Sequence, residues 1–274
     1  MLHLLKVEWF KVKNYRTFWV LLVLLIISIP SFCYIVYDQT NNNFPKINGK
    51  SILGTPFGFP DIWSTATWFS SLVLFIPAVL IITNNTNEFS FKTHRQNIID
   101  GWRRDQFISV KIMEVFLLAI LTTLLVFGTI MAFGYSNLKP GEKVSIWEGS
   151  RYLWFFFIEA LSYLMVALVI SILIKRAGLA MGIFFLYAIV LEQIAVQLLR
   201  RYINEKSYFS DLGKFLPLET TDRLIPQPFL RRFLSSSDQA RAWKHDLPFF
   251  IGVSMFYLLV YVFICQWKFK KNDL

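Results

Sequence analysis

The chain has 274 residues and a mass of 32.1 kDa, with 55% hydrophobic and 17% charged residues. Because soluble proteins carry about 25% charged residues, this composition argues against an ordinary soluble enzyme. The net charge of +10 would suggest nucleic acid as a partner of a soluble chain. Basic residues also flank the cytoplasmic ends of membrane spans, which explains the charge without nucleic acid.

The apolar residues are gathered in six runs, each 20 to 23 residues long. A helix rises ~1.5 Å per residue, so about 20 apolar residues cross the hydrocarbon core of a bilayer. The runs predict an all-α, polytopic membrane protein with six transmembrane helices, at about 18–37, 62–82, 112–134, 152–174, 179–199 and 247–267. The longest connection has 47 residues, which is short for a second globular domain. Residues 1–274 are therefore expected to form a single transmembrane domain.

The residues before the first run predict an additional, amphipathic helix. Leu2, Leu5, Trp9 and Val12 recur at helical spacing, while the lysines and Asn14 face elsewhere. Such a helix is expected to lie in the membrane interface, and a frayed basic tail is the alternative.

The distribution of basic residues predicts the orientation of the chain. If the amino terminus is inside, the cytoplasmic segments hold 14 Lys and Arg in 57 residues, and the outer segments hold 14 in 88. The higher density inside favours this orientation. Both ends of the chain are basic, which requires an even number of crossings and places both termini in the cytoplasm.

Motifs for catalysis and metal binding are missing from the sequence. The histidines at 3, 94 and 245 have no ligand spacing to each other or to a cysteine. A Gly-Lys-Ser sequence at 49–51 matches the end of a phosphate-binding loop, but Phe44 stands where the first glycine is needed. We therefore expect no catalytic residue and no metal site, which disfavours an intramembrane enzyme.

Three carboxylates lie within the predicted spans, as do Pro30 and Pro77. Charged groups at this depth are costly, so they normally face the bundle or water. Glu114 is near a span end and is expected to be interfacial and structural. Glu159 and Glu192 are candidates for a pathway or a gate, although for Glu192 a hydrogen bond to a neighbouring helix is an equal alternative. Pro30 and Pro77 are expected to kink or break their helices, with gating as a further role for Pro77.

The segment from Glu88 to Lys111 combines an acid, an amphipathic stretch, a glycine, an arginine pair and a lysine. The apolar side chains in it need a partner surface or the membrane interface. This segment resembles the loop between spans two and three in the membrane subunits of type-2 ABC exporters. The pattern Glu…Thr-x-Arg…Gly/Pro…Arg…Lys of that family is matched by Glu88, Thr93, Arg95, Gly101, Arg104 and Lys111. Lys92 departs from it, because a glycine commonly precedes the threonine.

The resemblance continues along the chain. A second inner turn at 175–178, the stretch from Tyr187 to Glu192, and the Leu216-Pro217 and Ile225-Pro226 pairs follow in the order found in the family. It implies a cytoplasmic coupling helix that docks on a separate ATPase, with Phe91, Ile98 and Ile99 as apolar anchors.

The function implied by the resemblance is that of the permease subunit of an ATP-driven ABC exporter in a bacterial cytoplasmic (inner) membrane. The chain would not be an enzyme and would bind no cofactor, because ATP and Mg belong to the partner ATPase. A second permease, identical or different, would complete the pathway. The exported substrate could be an ion or a drug rather than a lipid or glycan. The alternative function is a membrane anchor of an ABC-type machine that serves motility or enzyme maturation without transport.

Overall fold

The all-α fold is confirmed by the computed structural model, which describes residues 2–42, 46–47, 50–51, 56–91, 93, 103–138, 145–202, 212–228 and 238–271. The α-helices are, in chain order, α1 (Leu2–Lys13), α2 (Arg16–Asn42), α3 (Ile62–Ser71), α4 (Phe75–Ser90), α5 (Arg104–Ser136), α6 (Arg151–Ile174), α7 (Ala177–Phe185), α8 (Glu192–Tyr202), α9 (Pro217–Asp222) and α10 (Asp238–Lys271). A π-helical segment, Leu186–Leu191, joins α7 to α8, and a 3₁₀ turn, Leu212–Phe215, precedes α9. Strands β1 (Lys46–Ile47) and β2 (Lys50–Ser51) form a short antiparallel hairpin, with Lys46 opposite Ser51.

Within the described residues, five stretches of helix are long and apolar enough to cross a membrane. They are Arg16–Thr40, Asp105–Ser136, Arg151–Ile174, Ala177–Leu199 and Asp246–Lys268. Helices α3 and α4 meet the same criteria together, with a bend of 41° between them. The described part of the chain therefore has five to six candidate spans, and the six predicted from sequence correspond to these when the bent pair counts as one.

The break between α3 and α4 has a local cause in the sequence. Helix α3 ends at Ser71, α4 begins at Phe75, and Pro77 is the third residue of α4. Proline has no N–H to donate to the carbonyl of Val73, and its ring crowds that carbonyl. The expected break at Pro77 is confirmed. No break occurs at Pro30, because α2 is continuous from Arg16 to Asn42.

Helix α6 lies at the centre of the bundle. It packs against α3, α4, α5, α7, α9 and α10. Of its apolar window 56% is buried, compared with 17% for both the first and the last span. An apolar helix with little burial inside the protein is suited to contact with lipid, because the hydrocarbon core solvates its side chains.

Several helices are longer than the apolar runs that predicted them. Helix α5 begins at Arg104 rather than 112. Helix α10 begins at Asp238 rather than 247. A run of apolar residues marks only the part of a helix that hydrocarbon can surround, and polar turns continue the same helix beyond it.

The connections at the end of the bundle away from α1 pack closely against the helices. Trp63 donates its indole N–H to the carbonyl of Ile146 at 2.7 Å, which joins α3 to the turn before α6. The ring of Phe59 occupies the space where a side chain at Gly134 would project. A side chain at this point of α5 would displace the Phe59 ring, so glycine lets the segment before α3 approach closely.

Candidate functional site

A cluster of buried charges lies where α1, the end of α4 and the start of α5 meet. Lys111 is 1% exposed, and its Nζ lies 2.7 Å from Glu88 Oε1 and 2.8 Å from Glu8 Oε2. Glu114 Oε2 lies 3.3 Å from the same nitrogen. Lys11 Nζ completes the group at 2.6 Å from Glu8 Oε1. We refer to these five residues as the charge cluster.

The charge cluster compensates for the burial of its members. Burial raises the pKa of the Glu8 carboxyl, but the ammonium groups of Lys111 and Lys11 outweigh this effect, and the pKa lies at about 2. Glu8 is therefore ionised at neutral pH. Removing one partner from a buried ion pair leaves an uncompensated charge and is strongly destabilising. The cluster thus fastens α1 to two spans that are distant in sequence.

The charge cluster brings together the two ends of the predicted coupling loop. Glu88 and Lys111 were both predicted to act in ATPase coupling, and both are buried and paired with each other. Their position suits them to fix the ends of the loop rather than to touch a partner. Thr93 donates its hydroxyl hydrogen to the carbonyl of Glu88 at 3.4 Å, which continues this anchoring into the loop.

The remaining predicted coupling residues have different placements. Phe91 ends α4, and 65% of its surface is exposed. Arg104 is the first residue of α5, whose start is marked by a hydrogen bond of 3.0 Å from the Arg103 N–H to Gln106 Oε1. The predicted residues Arg95, Ile98, Ile99 and Gly101 lie outside the described part of the chain.

The second predicted inner turn lies at the same end of the bundle. Lys175 ends α6 in the left-handed conformation, with φ of 55°. Its ammonium group lies 5.4 Å from the centre of the Phe89 ring. This cation–π contact joins the turn between α6 and α7 to the last turn of α4.

Helix α1 exists as predicted, but it packs differently from the expected arrangement. Glu8 and Val12 are buried against the bundle, whereas Trp9 is 49% exposed and contacts Phe18 and Trp19 at the start of α2. The sequence placed Trp9 on the apolar face and gave Glu8 no role. Glu8 lies three residues after Leu5 and four before Val12, which places an acid on the apolar face of the helix. This position was the sequence signal that could have indicated a buried role for Glu8.

Glu192 occupies a second polar region, in the half of the bundle away from the charge cluster. Its Oε1 accepts hydrogen bonds from the backbone N–H groups of Leu218 and Glu219, at 2.7 and 2.8 Å. These are orphan donors in the first turn of α9, which a carboxylate satisfies as a helix cap. The π-helical segment just before Glu192 changes the helix register here. Glu192 therefore joins α8 to α9 by a structural contact, in agreement with the hydrogen-bonding alternative.

Glu159 lies beside α9 in the same region, near a second acid from that helix. It is 2% exposed, and Asp222 is close enough for the two carboxyl groups to influence each other. Tyr163, one turn further along α6, donates its hydroxyl hydrogen to Asp222 at 3.1 Å. Burial raises the pKa of the Asp222 carboxyl to about 7 despite the hydrogen bond from Tyr163. These groups border a cavity of about 640 Å³.

Sequence reasoning missed Tyr163 and Asp222. The two residues are separated by 59 positions, and Asp222 belongs to a loop that was expected to lie outside the membrane. Nothing in the sequence of that loop indicated that α9 would bury Leu218, Thr220 and Thr221 against α6 and α10.

The described residues form a bundle with five to six candidate membrane spans, ion pairs buried at one end and an acidic cavity in the opposite half, and the chain is therefore a polytopic α-helical membrane protein. A family model described as "Protein of unknown function (DUF2705)" matches residues 21–274, and the chain belongs to this family. The match begins within α2, so α1 and its part of the charge cluster precede it. No curated protein matches the chain.

Proposed function

We propose that the protein is the membrane-spanning subunit of an ATP-driven export complex, and that a separate cytoplasmic ATPase docks on the segment between α4 and α5. The observation that carries this proposal is the 2.7 Å ion pair between Glu88 and Lys111. This ion pair holds the two ends of the segment together at the buried charge cluster. A docking segment transmits force only if its ends are attached rigidly to the spans that must move.

The surroundings of this ion pair support the same function. Phe91 lies next to the closed end with an exposed aromatic ring, which suits an anchor in a groove of a partner. Lys175 brings the turn between α6 and α7 to the same place. One docked ATPase could therefore act on α4, α5 and the α6–α7 turn together.

The orientation required by this proposal is the one favoured by the basic residues. With both termini in the cytoplasm of a bacterial cell, the charge cluster lies at the cytoplasmic side of the membrane and α9 lies toward the outside. A second permease subunit would complete the complex. A membrane anchor that uses the ATPase mechanically would dock in the same way, and only a transport assay separates the two functions.

The test compares Phe91→Ala with Phe263→Ala after purification of the tagged full chain from its native membranes. The two phenylalanines are 65% and 66% exposed, but Phe263 belongs to the last span and should face lipid. Truncation of a true anchor costs about 2 kcal/mol or more, which is roughly a 30-fold loss of affinity. We expect Phe91→Ala, alone or with Ile98→Ala, to lose the ATPase and its coupled hydrolysis, while Phe263→Ala retains both.

Two outcomes would contradict the proposal. The intact wild-type chain could purify without any ATPase of the ABC type. Alternatively, the Phe91→Ala, Ile98→Ala variant could retain the ATPase with full coupled hydrolysis, which would remove this segment from the mechanism.

A further inference from the structure

The cavity of about 640 Å³ lies between α3, α4, α6, α7, α9, the π-helical segment and the start of α8. Its volume is within the range of roughly 300–1,000 Å³ that is typical of small-molecule sites. Leu72 and Ile189 border it and are 51% and 64% exposed, so the cavity opens sideways between the α3–α4 break and the π-helical segment. A ligand with apolar surface could enter from that side.

The charged lining of the cavity is predominantly acidic. Glu159, Glu219 and Asp222 contribute three carboxyl groups, and Arg223 contributes one guanidinium, which pairs with Glu219 at 2.5 Å. Asp222 accepts the hydroxyl hydrogen of Tyr163. Because Arg223 already pairs with Glu219, Glu159 and Asp222 are the acids that remain for a ligand.

Glu159 provides an observation that points to a ligand independently of this count. Glu159 is only 2% exposed, yet it borders the cavity. Its Oε2 atom accepts no hydrogen bond within the described residues, although the carboxyl group lies beside Ser71 and Asp222. Two buried carboxyl groups this close repel each other when both are ionised, and a cation in the cavity would offset that repulsion.

Aromatic side chains supply the rest of the lining. Trp68, Phe75, Phe184 and Phe185 border the cavity together with Tyr163. Aromatic faces attract organic cations through the ring quadrupole, and they also bury the apolar substituents of such a molecule. A small inorganic ion would make no use of these rings.

We propose that this cavity is a binding site for a lipophilic organic cation, in which Glu159 and Asp222 balance the charge and the aromatic side chains surround the apolar body. This proposal names the class of substrate for the proposed function. Only the step of transport rests on that function. Binding itself needs no ATPase. The site can therefore be tested separately, and it can fail without the docking proposal failing.

The experiment measures binding of tetraphenylphosphonium to the full chain in lipid nanodiscs by equilibrium dialysis, at a pH well above 7 where Asp222 is ionised. Tetraphenylborate is the matched probe, because it has the same shape and the opposite charge. Glu159→Gln preserves the size of the side chain and removes its charge. Glu148→Gln makes the same change at an exposed position before α6 and serves as the control variant.

We expect saturable binding of tetraphenylphosphonium and none of tetraphenylborate. The dissociation constant should rise roughly tenfold or more in Glu159→Gln and stay unchanged in Glu148→Gln. If Glu159→Gln does not fold, Asp222→Asn and the comparison of the two probes on the wild type decide the question. Equal binding of both probes by the wild type, or wild-type affinity in the folded charge-removing variants, would overturn the proposal.

Discussion

Lys111 provides the sharpest test of how α1 is held on the bundle. The substitution Lys111→Met keeps most of the side-chain volume and removes the ammonium group that contacts Glu8, Glu88 and Glu114 at 2.7 to 3.3 Å. Two unit charges ~3 Å apart attract each other by roughly 5 kcal/mol at an effective dielectric constant of ~20. Desolvation offsets part of this attraction, and breaking a buried ion pair typically costs about 3–5 kcal/mol. We expect a loss of this size in the free energy of unfolding.

The control for this experiment is Lys13→Met, which removes a lysine whose side chain is exposed on the same helix. A surface change of this kind is expected to alter stability by less than about 0.5 kcal/mol. Unfolding can be followed in mixed micelles by tryptophan fluorescence, because Trp9 lies on α1 against Phe18 and Trp19. Detachment of α1 should also increase proteolysis within residues 2–13 of the folded protein.

A double variant shows whether the loss comes from the ion pair itself. Replacing Glu88 by Gln in the Lys111→Met background removes one of the uncompensated carboxylates, so the double variant should be at least ~1 kcal/mol more stable than the sum of the single effects predicts. Equal stability of Lys111→Met and Lys13→Met, or strict additivity in the double variant, would refute the reasoning.

Two further predictions concern the region around α9. Glu192→Gln retains a carbonyl oxygen that can accept the Leu218 and Glu219 N–H groups, so the thermal stability of this variant should remain close to that of the wild type. Glu192→Leu removes the acceptor and should lower the free energy of unfolding by about 1–3 kcal/mol. Reduced transport by Glu192→Gln would reveal a role for the charge beyond capping α9. For Asp222, whose pKa is raised to about 7 by burial, the folded state binds the proton more tightly than the unfolded state does. The contribution of Asp222 to stability is therefore fully present below its unfolded pKa of about 4, and about 1–4 kcal/mol is lost as the pH rises from there to about 7, with Glu159, Tyr163, Glu192 and Glu219 as the neighbouring groups. Asp222→Asn should abolish this dependence in thermal unfolding measured across that range, and an unchanged pH profile would contradict it.

The sequence predicted the spans well because a helix that crosses the bilayer needs about 20 consecutive apolar residues. The predicted run 152–174 differs by one residue from α6 (Arg151–Ile174). The break near Pro77 was also predicted, because proline acts on its own preceding turn, but the same reasoning predicted a kink or break at Pro30, where α2 is continuous. The charge cluster could not be predicted, because the ion pair of Glu8 with Lys111 spans 103 positions and depends on how α1 folds back. The π-helical segment before Glu192 likewise has no residue that signals it.

Helix α4 connects the two polar regions of the protein. Phe75 borders the acidic cavity at its first turn, and Glu88 belongs to the charge cluster in its last turn. They are thirteen positions apart on one helix, a distance of about 20 Å. The helix is continuous between these points, and the bend of 41° lies before it. We expect a displacement of the loop after α4 to reach the cavity wall at Phe75 along this continuous helix.

Pro77→Ala tests whether this break matters. Alanine supplies a backbone N–H and removes the ring that crowds the Val73 carbonyl, which already accepts the Ile76 N–H at 3.0 Å, so α3 and α4 should straighten. Pro30→Ala is the matched control, because α2 already continues through its proline. We expect Pro77→Ala to retain ATPase docking at Phe91 yet to bind tetraphenylphosphonium several-fold more weakly, since Leu72 and Phe75 flank the bend and border the cavity. If Pro77→Ala and Pro30→Ala bind the probe alike, then the bend does not shape the cavity and α4 does not link the two regions.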